Sequence, residues 1–176
     1  MNLSFTAEEL RFQQEVRAWL ATNTPAHQGQ LTHERNFVMA WEQKLASKGW
    51  LASAWPKQFG GTGWNATERY IWDEECARAN APSHSVFGLQ MCGPVIMAFG
   101  TPEQQAEHLP HITGGTRIWC QGYSEPGAGS DLAALKTSAV HDGSDYLVNG
   151  QKIWTTGAHI ADWIFCLVRT SSDTRK

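Results

Sequence analysis

The apolar pattern of this chain changes once along its length, at Gly114-Gly115. Before these glycines, apolar residues recur at intervals of three and four, which is the spacing of one face of an α-helix. After them, short runs of β-branched and aromatic residues alternate with glycine-rich turns, which is typical of strands. The sequence therefore predicts two segregated domains, a helical one over 1–116 and a mostly β one over 117–176.

Capping and proline signals delimit five helices in the first domain. The first helix begins after Thr6, with Glu9 placed to complete a capping box, and it ends before Pro25. The other four are predicted at about 32–48, 65–80, 83–99 and 101–114. The fourth is apolar nearly all round, which predicts a helix buried on most faces, with Pro94 kinking or dividing it.

The second domain is predicted to contain about four strands. One strand covers 117–123, and a hairpin joins 146–148 to 151–154 through a type I′ turn at Asn149-Gly150. A further strand at 161–169 is apolar on both faces, which predicts burial between layers. The predicted fold class is α+β, an all-α N-terminal domain followed by an incomplete antiparallel β domain. Because the sequence stops soon after a strand, we expect another segment to complete the sheet.

Composition excludes several classes of function. Of the 176 residues, 41% are hydrophobic and 18% charged, and the net charge of −3 leaves no basic footprint for nucleic acid. No secretory signal or membrane-spanning run is recognisable, so we expect a cytoplasmic protein without membrane insertion. The four cysteines lack Cys-x-x-Cys spacing and His108 with His111 forms an isolated pair, so no metal site is expected. The nine tryptophans indicate either wide core packing or a pocket for a flat ligand.

Two stretches of the β domain are candidates for binding chemistry. The first, 121–131, contains Gly127 and Gly129 between predicted strands; it is either a tight loop with side-chain turns at Ser130 and Asp131, or a loop whose backbone approaches a ligand. It does not open a helix, so a doubly wound dinucleotide fold is not supported. In the second stretch, Trp154 and Thr156 are two residues apart, which on a strand would place both on one face.

Taken together, these motifs closely resemble the acyl-CoA dehydrogenase family. The resemblance covers the whole chain: Gly-Trp-Leu, then Trp-Pro-x-x-Phe-Gly-Gly, Phe-Gly-Thr-Pro-Glu-Gln, Ser-Glu-Pro-Gly-Ala-Gly-Ser-Asp and Asn-Gly-x-Lys-x-Trp-x-Thr. The last two are highly specific in that order and spacing. The resemblance implies a helical domain, a β domain and a C-terminal four-helix domain that hold FAD between them. It also implies removal of an α-proton from an acyl-CoA and transfer of the β-hydride to the flavin, giving a trans-2-enoyl-CoA.

Family roles carry over to individual residues of this sequence. The resemblance implies that Gln121, Tyr123 and Ser124 line the flavin, with backbone N–H groups of Tyr123 and Ser124 offered to the ring and the Ser124 hydroxyl near N5. Trp154 would lie against the flavin ring and Thr156 would bond near it. The remaining implied contacts concern the substrate: Ser130 with coenzyme A, and Phe87, Gln90 and Met91 with the acyl chain.

The resemblance also bears on what this chain does not contain. The family's catalytic glutamate belongs to the C-terminal domain, so no catalytic residue is assigned here and the chain is expected to be inactive alone. The version Trp-Cys-Gln-Gly-Tyr-Ser, with Gln121, Tyr123 and Ser124 where many relatives differ, resembles a bacterial branch that acts on bulky or dicarboxylic acyl-CoAs, some members being two-gene heteromers. A homo- or hetero-oligomer and electron-transferring flavoprotein as acceptor are therefore expected. Two alternatives stay open: a non-catalytic assembly module, and an acyl-CoA oxidase.

Overall fold

The computed structural model describes residues 4–26 and 34–171 and divides the chain into two compact units, Met1–Arg117 and Ile118–Lys176. The first unit contains the helices α1 (Ala7–Asn23), α2 (Arg35–Ser47), α3 (Ala66–Arg78), α4 (Gly93–Phe99) and α5 (Pro102–Thr113), with a 3₁₀ turn at Lys57–Phe59 and a π-helical segment at Phe87–Cys92. The second contains β1 (Trp119–Gly122), β2 (Ser138–Asp142), β3 (Asp145–Asn149), β4 (Trp163–Cys166) and a 3₁₀ turn at Leu132–Ala134. The predicted fold class, helices followed by a small β region, is confirmed.

Side-chain caps set the start of three helices. The hydroxyl of Thr6 accepts the Glu9 amide at 3.2 Å, and the Glu9 carboxylate accepts the Thr6 amide at 2.7 Å, which is the predicted capping box. Equivalent boxes start α3 and α5. Helix α2 begins at Arg35, without a side-chain cap, and the predicted start near residue 32 lies outside the described residues.

Aromatic packing forms much of the core of the helical unit. The indole of Trp50 lies 5.3 Å from those of Trp19 and Trp72 and 5.7 Å from that of Trp64, centroid to centroid, and Trp19 lies 6.0 Å from Trp41. Edge and tilted contacts at these distances are favourable for aromatic pairs. These five tryptophans therefore serve core packing, which supports the first of the two interpretations of the tryptophan content.

The fourth helical segment departs from its prediction. It begins at Val86 rather than residue 83, and the wide π-helical turns of Phe87–Cys92 precede Pro94. Proline has no N–H to give to the carbonyl four residues back, and a π turn is one way for a helix to pass such a residue without breaking. The predicted burial on most faces is wrong: Val95 and Phe99 are exposed, because no described element of this unit covers their side of the helix.

The β unit contains two separate strand pairs. Strands β2 and β3 form an antiparallel hairpin in which Asp142 pairs with Asp145 across a two-residue turn. Gly143 begins this turn with a positive φ of 66°, as a type II′ turn requires. The predicted hairpin with its turn at Asn149-Gly150 is therefore wrong. Asn149 is the last residue of β3, 151–154 is not a strand, and β3 pairs instead with the preceding strand, β2.

The other pair, β1 with β4, is parallel, with Gln121 opposite Phe165. The predicted antiparallel arrangement thus holds for one of the two pairs. Trp163 and Ile164 of β4 are about half exposed, so the predicted burial of this strand between layers is not what the chain shows. None of the helices within 4–26 and 34–171 is long and apolar enough to cross a membrane.

Candidate functional site

The loop that leaves β1 brings the first candidate stretch to the end of a strand pair. Gln121 lies on β1 opposite Phe165 of β4, and the Tyr123 ring contacts the Phe165 ring edge-on at 5.2 Å between centroids. Tyr123 and Ser124 follow directly after the strand, and both residues are half-buried. The β1–β4 strand pair therefore determines where Tyr123 and Ser124 lie, and contact with Phe165 limits the orientations open to the Tyr123 ring.

A tight turn follows Ser124. Glu125 and Ala128 exchange backbone hydrogen bonds of 2.9 and 3.1 Å across Pro126-Gly127, closing a four-residue loop. A Cβ atom added to Gly127 or Gly129 would meet nothing within 4 Å, so packing inside this unit does not require either glycine. Ser130 is exposed beyond the turn. This outer surface of the loop is open to a ligand.

The second candidate stretch runs alongside the first. The Ile153 amide donates to the Ser124 carbonyl at 2.9 Å, which joins the two motifs through the main chain. Trp154 then adopts a positive φ of 56° and is 85% exposed, while Thr156 is exposed in the turn that follows. The strand premise for Trp154 and Thr156 is therefore wrong, because this segment pairs with the Ser124 loop rather than with β3. A bulky residue in left-handed conformation costs about 1–3 kcal/mol and is concentrated at functional sites.

A buried ion pair beneath these two stretches was not found by sequence reasoning. The Lys152 ammonium donates to Glu125 Oε1 at 2.8 Å and to the Tyr123 carbonyl at 3.0 Å, and both side chains are less than a tenth exposed. The Glu125 carboxylate also accepts the Lys136 and Thr137 amides at 2.6 and 2.8 Å. The Lys152 ammonium is the main reason that the pKa of Glu125 falls to about 2. The available signal was the two acids of the first motif, Glu125 and Asp131, and the single base of the second, Lys152.

Two backbone donors on the first stretch are unused within the described residues. Neither the Tyr123 nor the Ser124 amide donates a hydrogen bond there, although the carbonyls of both residues accept one. Unbonded backbone donors are uncommon in half-buried segments and call for a partner. Two adjacent N–H groups, an exposed indole and an open glycine turn fit a flat heteroaromatic ring with acceptor atoms at its edge, such as a flavin.

The acyl-chain candidates lie in the helical unit. Phe87, Gln90 and Met91 lie on the π-helical segment, with Phe87 half-buried and the other two exposed. Gly93, the residue after this segment, makes room for Trp55: an added Cβ would overlap the indole. That indole donates to the Leu89 carbonyl at 2.6 Å, so Trp55 belongs to the packing of this helix.

Thiol and metal chemistry receive no support from the described part of the chain. Burial raises the pKa of Cys76 to about 12 and that of Cys92 to about 11, which keeps both thiols protonated. Cys166 is exposed. Residues 4–26 and 34–171 contain no group of three or more metal-ligating side chains.

Comparisons with known proteins identify the family of this chain. The family model of the acyl-CoA dehydrogenase N-terminal domain matches residues 6–116, and that of the acyl-CoA dehydrogenase middle domain matches 120–176. The chain is 43% identical over 178 residues to acyl-CoA dehydrogenase IpdE1 of Mycobacterium tuberculosis, covering 94% of this chain and 46% of that protein. The chain therefore belongs to the acyl-CoA dehydrogenase family.

Solved structures give the same result. The ChsE4-ChsE5 complex from Mycobacterium tuberculosis matches with a TM-score of 0.86 and 40% identity, covering 98% of this chain and 45% of that one. The Tcur3481-Tcur3483 steroid ACAD matches with a TM-score of 0.82 and 35% identity, covering 99% and 46%. The chain spans about half the length of the relatives that it matches.

Proposed function

We propose that the protein to which this chain belongs dehydrogenates an acyl-CoA thioester to a trans-2-enoyl-CoA with bound FAD. The observation that carries this proposal is the pair of unused amides on Tyr123 and Ser124, on a loop joined to an exposed Trp154. Membership of the acyl-CoA dehydrogenase family supplies the reaction class. When bound, the flavin supplies the hydride acceptor, and the protein supplies position and hydrogen bonds.

Different residues of the β unit make different contacts with the cofactor in this proposal. The Tyr123 and Ser124 amides donate to the edge of the ring, Gln121 borders it, and Trp154 covers it with a large apolar surface. The Ser124 hydroxyl and Thr156 add hydrogen bonds to the ring. In this proposal residues 117–176 form the first part of the family's middle domain.

The same loop also serves the substrate. The exposed Ser130 hydroxyl, beyond the open turn at Gly127 and Gly129, contacts coenzyme A. The acyl group lies against Phe87, Gln90 and Met91, where the exposed side of the helix offers apolar surface. A solved relative is described as a steroid ACAD, and we extend that to a bulky acyl-CoA for this chain.

The base that removes the α-proton is proposed to lie outside the described residues. Glu125, the carboxylate beside the candidate flavin loop, accepts three hydrogen bonds, and its pKa of about 2 makes it a poor proton acceptor. In this proposal a neighbouring segment or subunit supplies the base, as the family resemblance implies. The two matching structures are described as two-component assemblies, which favours a hetero-oligomer, with electron-transferring flavoprotein as the proposed electron acceptor.

A reconstitution experiment tests this function. The purified chain is titrated with FAD, and quenching of flavin fluorescence measures binding; a yellow complex is expected. The complex is then mixed anaerobically with a bulky acyl-CoA, and flavin absorbance is followed. We expect no rapid bleaching from the chain alone, because general-base catalysis contributes about 10²–10⁴-fold. Failure to bind FAD, alone and in its native assembly, would refute the cofactor assignment, and rapid bleaching by the chain alone would refute an external base. A colourless native assembly would favour the non-catalytic alternative.

A further inference from the structure

The Glu125 and Lys152 side chains belong to different motifs and meet in the interior of the β unit. Glu125 directly follows Ser124, and Lys152 directly precedes Ile153, whose amide bonds the Ser124 carbonyl at 2.9 Å. The ammonium and the carboxylate lie 2.8 Å apart and are nearly excluded from water. This pair therefore lies at the junction of the two stretches that carry the candidate flavin ligands.

The hydrogen bonds of the pair determine the direction of a peptide group. The Lys152 ammonium donates to the Tyr123 carbonyl at 3.0 Å. In a planar trans peptide the carbonyl of one residue and the N–H of the next point in opposite directions. Holding the Tyr123 carbonyl toward Lys152 therefore turns the Ser124 N–H away from the protein interior. The same rule applies one residue earlier, where the Gly122 carbonyl accepts the Leu167 amide at 3.1 Å and so directs the Tyr123 N–H.

The carboxylate is needed because the ammonium is buried. A buried lysine without a partner tends to lose its charge, and a neutral amine is a weaker donor to a carbonyl. Glu125 compensates the charge, and its own position is held by the Lys136 and Thr137 amides at 2.6 and 2.8 Å. The depressed pKa of Glu125 keeps its carboxylate ionised through the neutral range.

We propose that the Glu125–Lys152 ion pair is a positioning device that aims the Ser124 amide at the flavin by holding the Tyr123 carbonyl inward. Both residues act through the backbone of Tyr123 and Ser124 rather than by touching the cofactor. This inference rests on the proposed flavin site. It adds a pair of residues whose role in cofactor binding is indirect.

Matched substitutions separate this role from general stabilisation. Lys152→Met removes the ammonium and keeps most of the stem, Glu125→Gln removes the charge of the acid, and a double variant removes both. Lys48→Met and Glu15→Gln are the controls, because Lys48 and Glu15 form an ion pair of the same 2.8 Å length on the exposed surface of the helical unit.

Two measurements are made on the full chain. FAD affinity is measured by quenching of flavin fluorescence, and amide hydrogen exchange of Ile153 is measured without FAD. We expect Lys152→Met and the double variant to weaken FAD binding by about tenfold or more and to accelerate Ile153 exchange, while both controls stay within about twofold. Protection of the Asp162 amide, which bonds the Ile118 carbonyl at 2.8 Å, reports whether the unit remains folded.

The double variant distinguishes positioning from charge compensation. If the pair only avoids an unpaired buried charge, removing both charges restores FAD binding and Ile153 protection. If the ammonium positions the Tyr123 carbonyl, the double variant stays as defective as Lys152→Met. Should Lys152→Met lose Asp162 protection, the double variant decides alone, because it leaves no unpaired charge. Restored or unchanged values in the double variant would overturn the proposal. If neither the chain nor its native assembly binds FAD, the proposed function fails, and Ile153 exchange still decides whether the pair positions the loop.

Discussion

Glu42 offers the sharpest test of the packing of the helical unit. Its carboxylate lies on α2 with 3% of the residue exposed, and it accepts the Ser85 amide at 2.6 Å just before the π-helical segment begins. Burial raises the pKa of Glu42 from its ordinary 4.5 to about 7, the Ser85 hydrogen bond opposing the shift in part. The Glu42 side chain has little room to move toward solvent, because its surroundings are closely packed: a Cβ added at Gly115 would lie 2.7 Å from the Glu42 Cβ.

The sign of the effect on stability follows from linkage. The folded state favours the protonated acid, so the free energy of unfolding is highest below the unfolded pKa and falls as pH rises toward and through the folded pKa. The Glu42 pKa rises from 4.5 in the unfolded chain to about 7 in the folded chain. At about 1.4 kcal/mol for each pKa unit, ionising Glu42 lowers the free energy of unfolding by about 3 kcal/mol in total. Between pH 5 and pH 8.5 we expect this group to remove about 2–3 kcal/mol of stability.

Replacing Glu42 with glutamine removes the titration and keeps an oxygen for the Ser85 amide. Urea unfolding of wild type and Glu42→Gln at pH 5 and pH 8.5 measures the change, and the variant should lose about 2–3 kcal/mol less than wild type across this interval. Glu15→Gln, an exposed control, should shift stability by less than about 1 kcal/mol. Parallel pH profiles for wild type and Glu42→Gln would refute the burial argument.

Three further predictions concern the site and its scaffold. Trp154→Ala should weaken FAD binding by about 1–3 kcal/mol, because it removes a large apolar contact, while leaving the urea midpoint nearly unchanged since the side chain is exposed; unchanged affinity by fluorescence titration would remove Trp154 from the site. Ser124→Ala should slow flavin reduction in the complete enzyme more than it weakens FAD binding, as stopped-flow absorbance would show; equal reduction rates would contradict a hydroxyl near N5. Gly93→Ala should destabilise the helical unit by about 1–3 kcal/mol in urea unfolding, because its Cβ overlaps Trp55; a neutral result would show that the helix can shift.

The helix starts could be predicted from sequence because their causes are local. The side chains of Thr6 and Glu9 accept each other's backbone amides within four residues, so both partners of the cap can be recognised in one short stretch of sequence. The change of period at Gly114-Gly115 is local in the same sense. The motifs around Ser124 and Trp154 also identified the family, since their residues are adjacent in the chain.

Strand pairing depends on contacts that no local pattern contains. Asn149-Gly150 has the composition of a hairpin turn, yet Gly143 makes the turn, and a side chain at Gly150 would overlap Thr137. Which of the two glycines forms the hairpin turn depends on which strands pair with each other, and strand pairing is a property of the whole unit. Pairing of β1 with β4 in parallel is non-local for the same reason.

Sequence alone determined that a helical region precedes a β region, the family, and the two stretches that carry the candidate site, because caps, periods and motifs lie in neighbouring residues. Only the tertiary structure placed Lys152 of the second stretch against Glu125 and the Tyr123 carbonyl of the first. A buried charge pair forms between residues 27 positions apart, as the fold brings them together and excludes water from both. The direction of the Ser124 amide follows from that contact, so it could be read only once the fold was known.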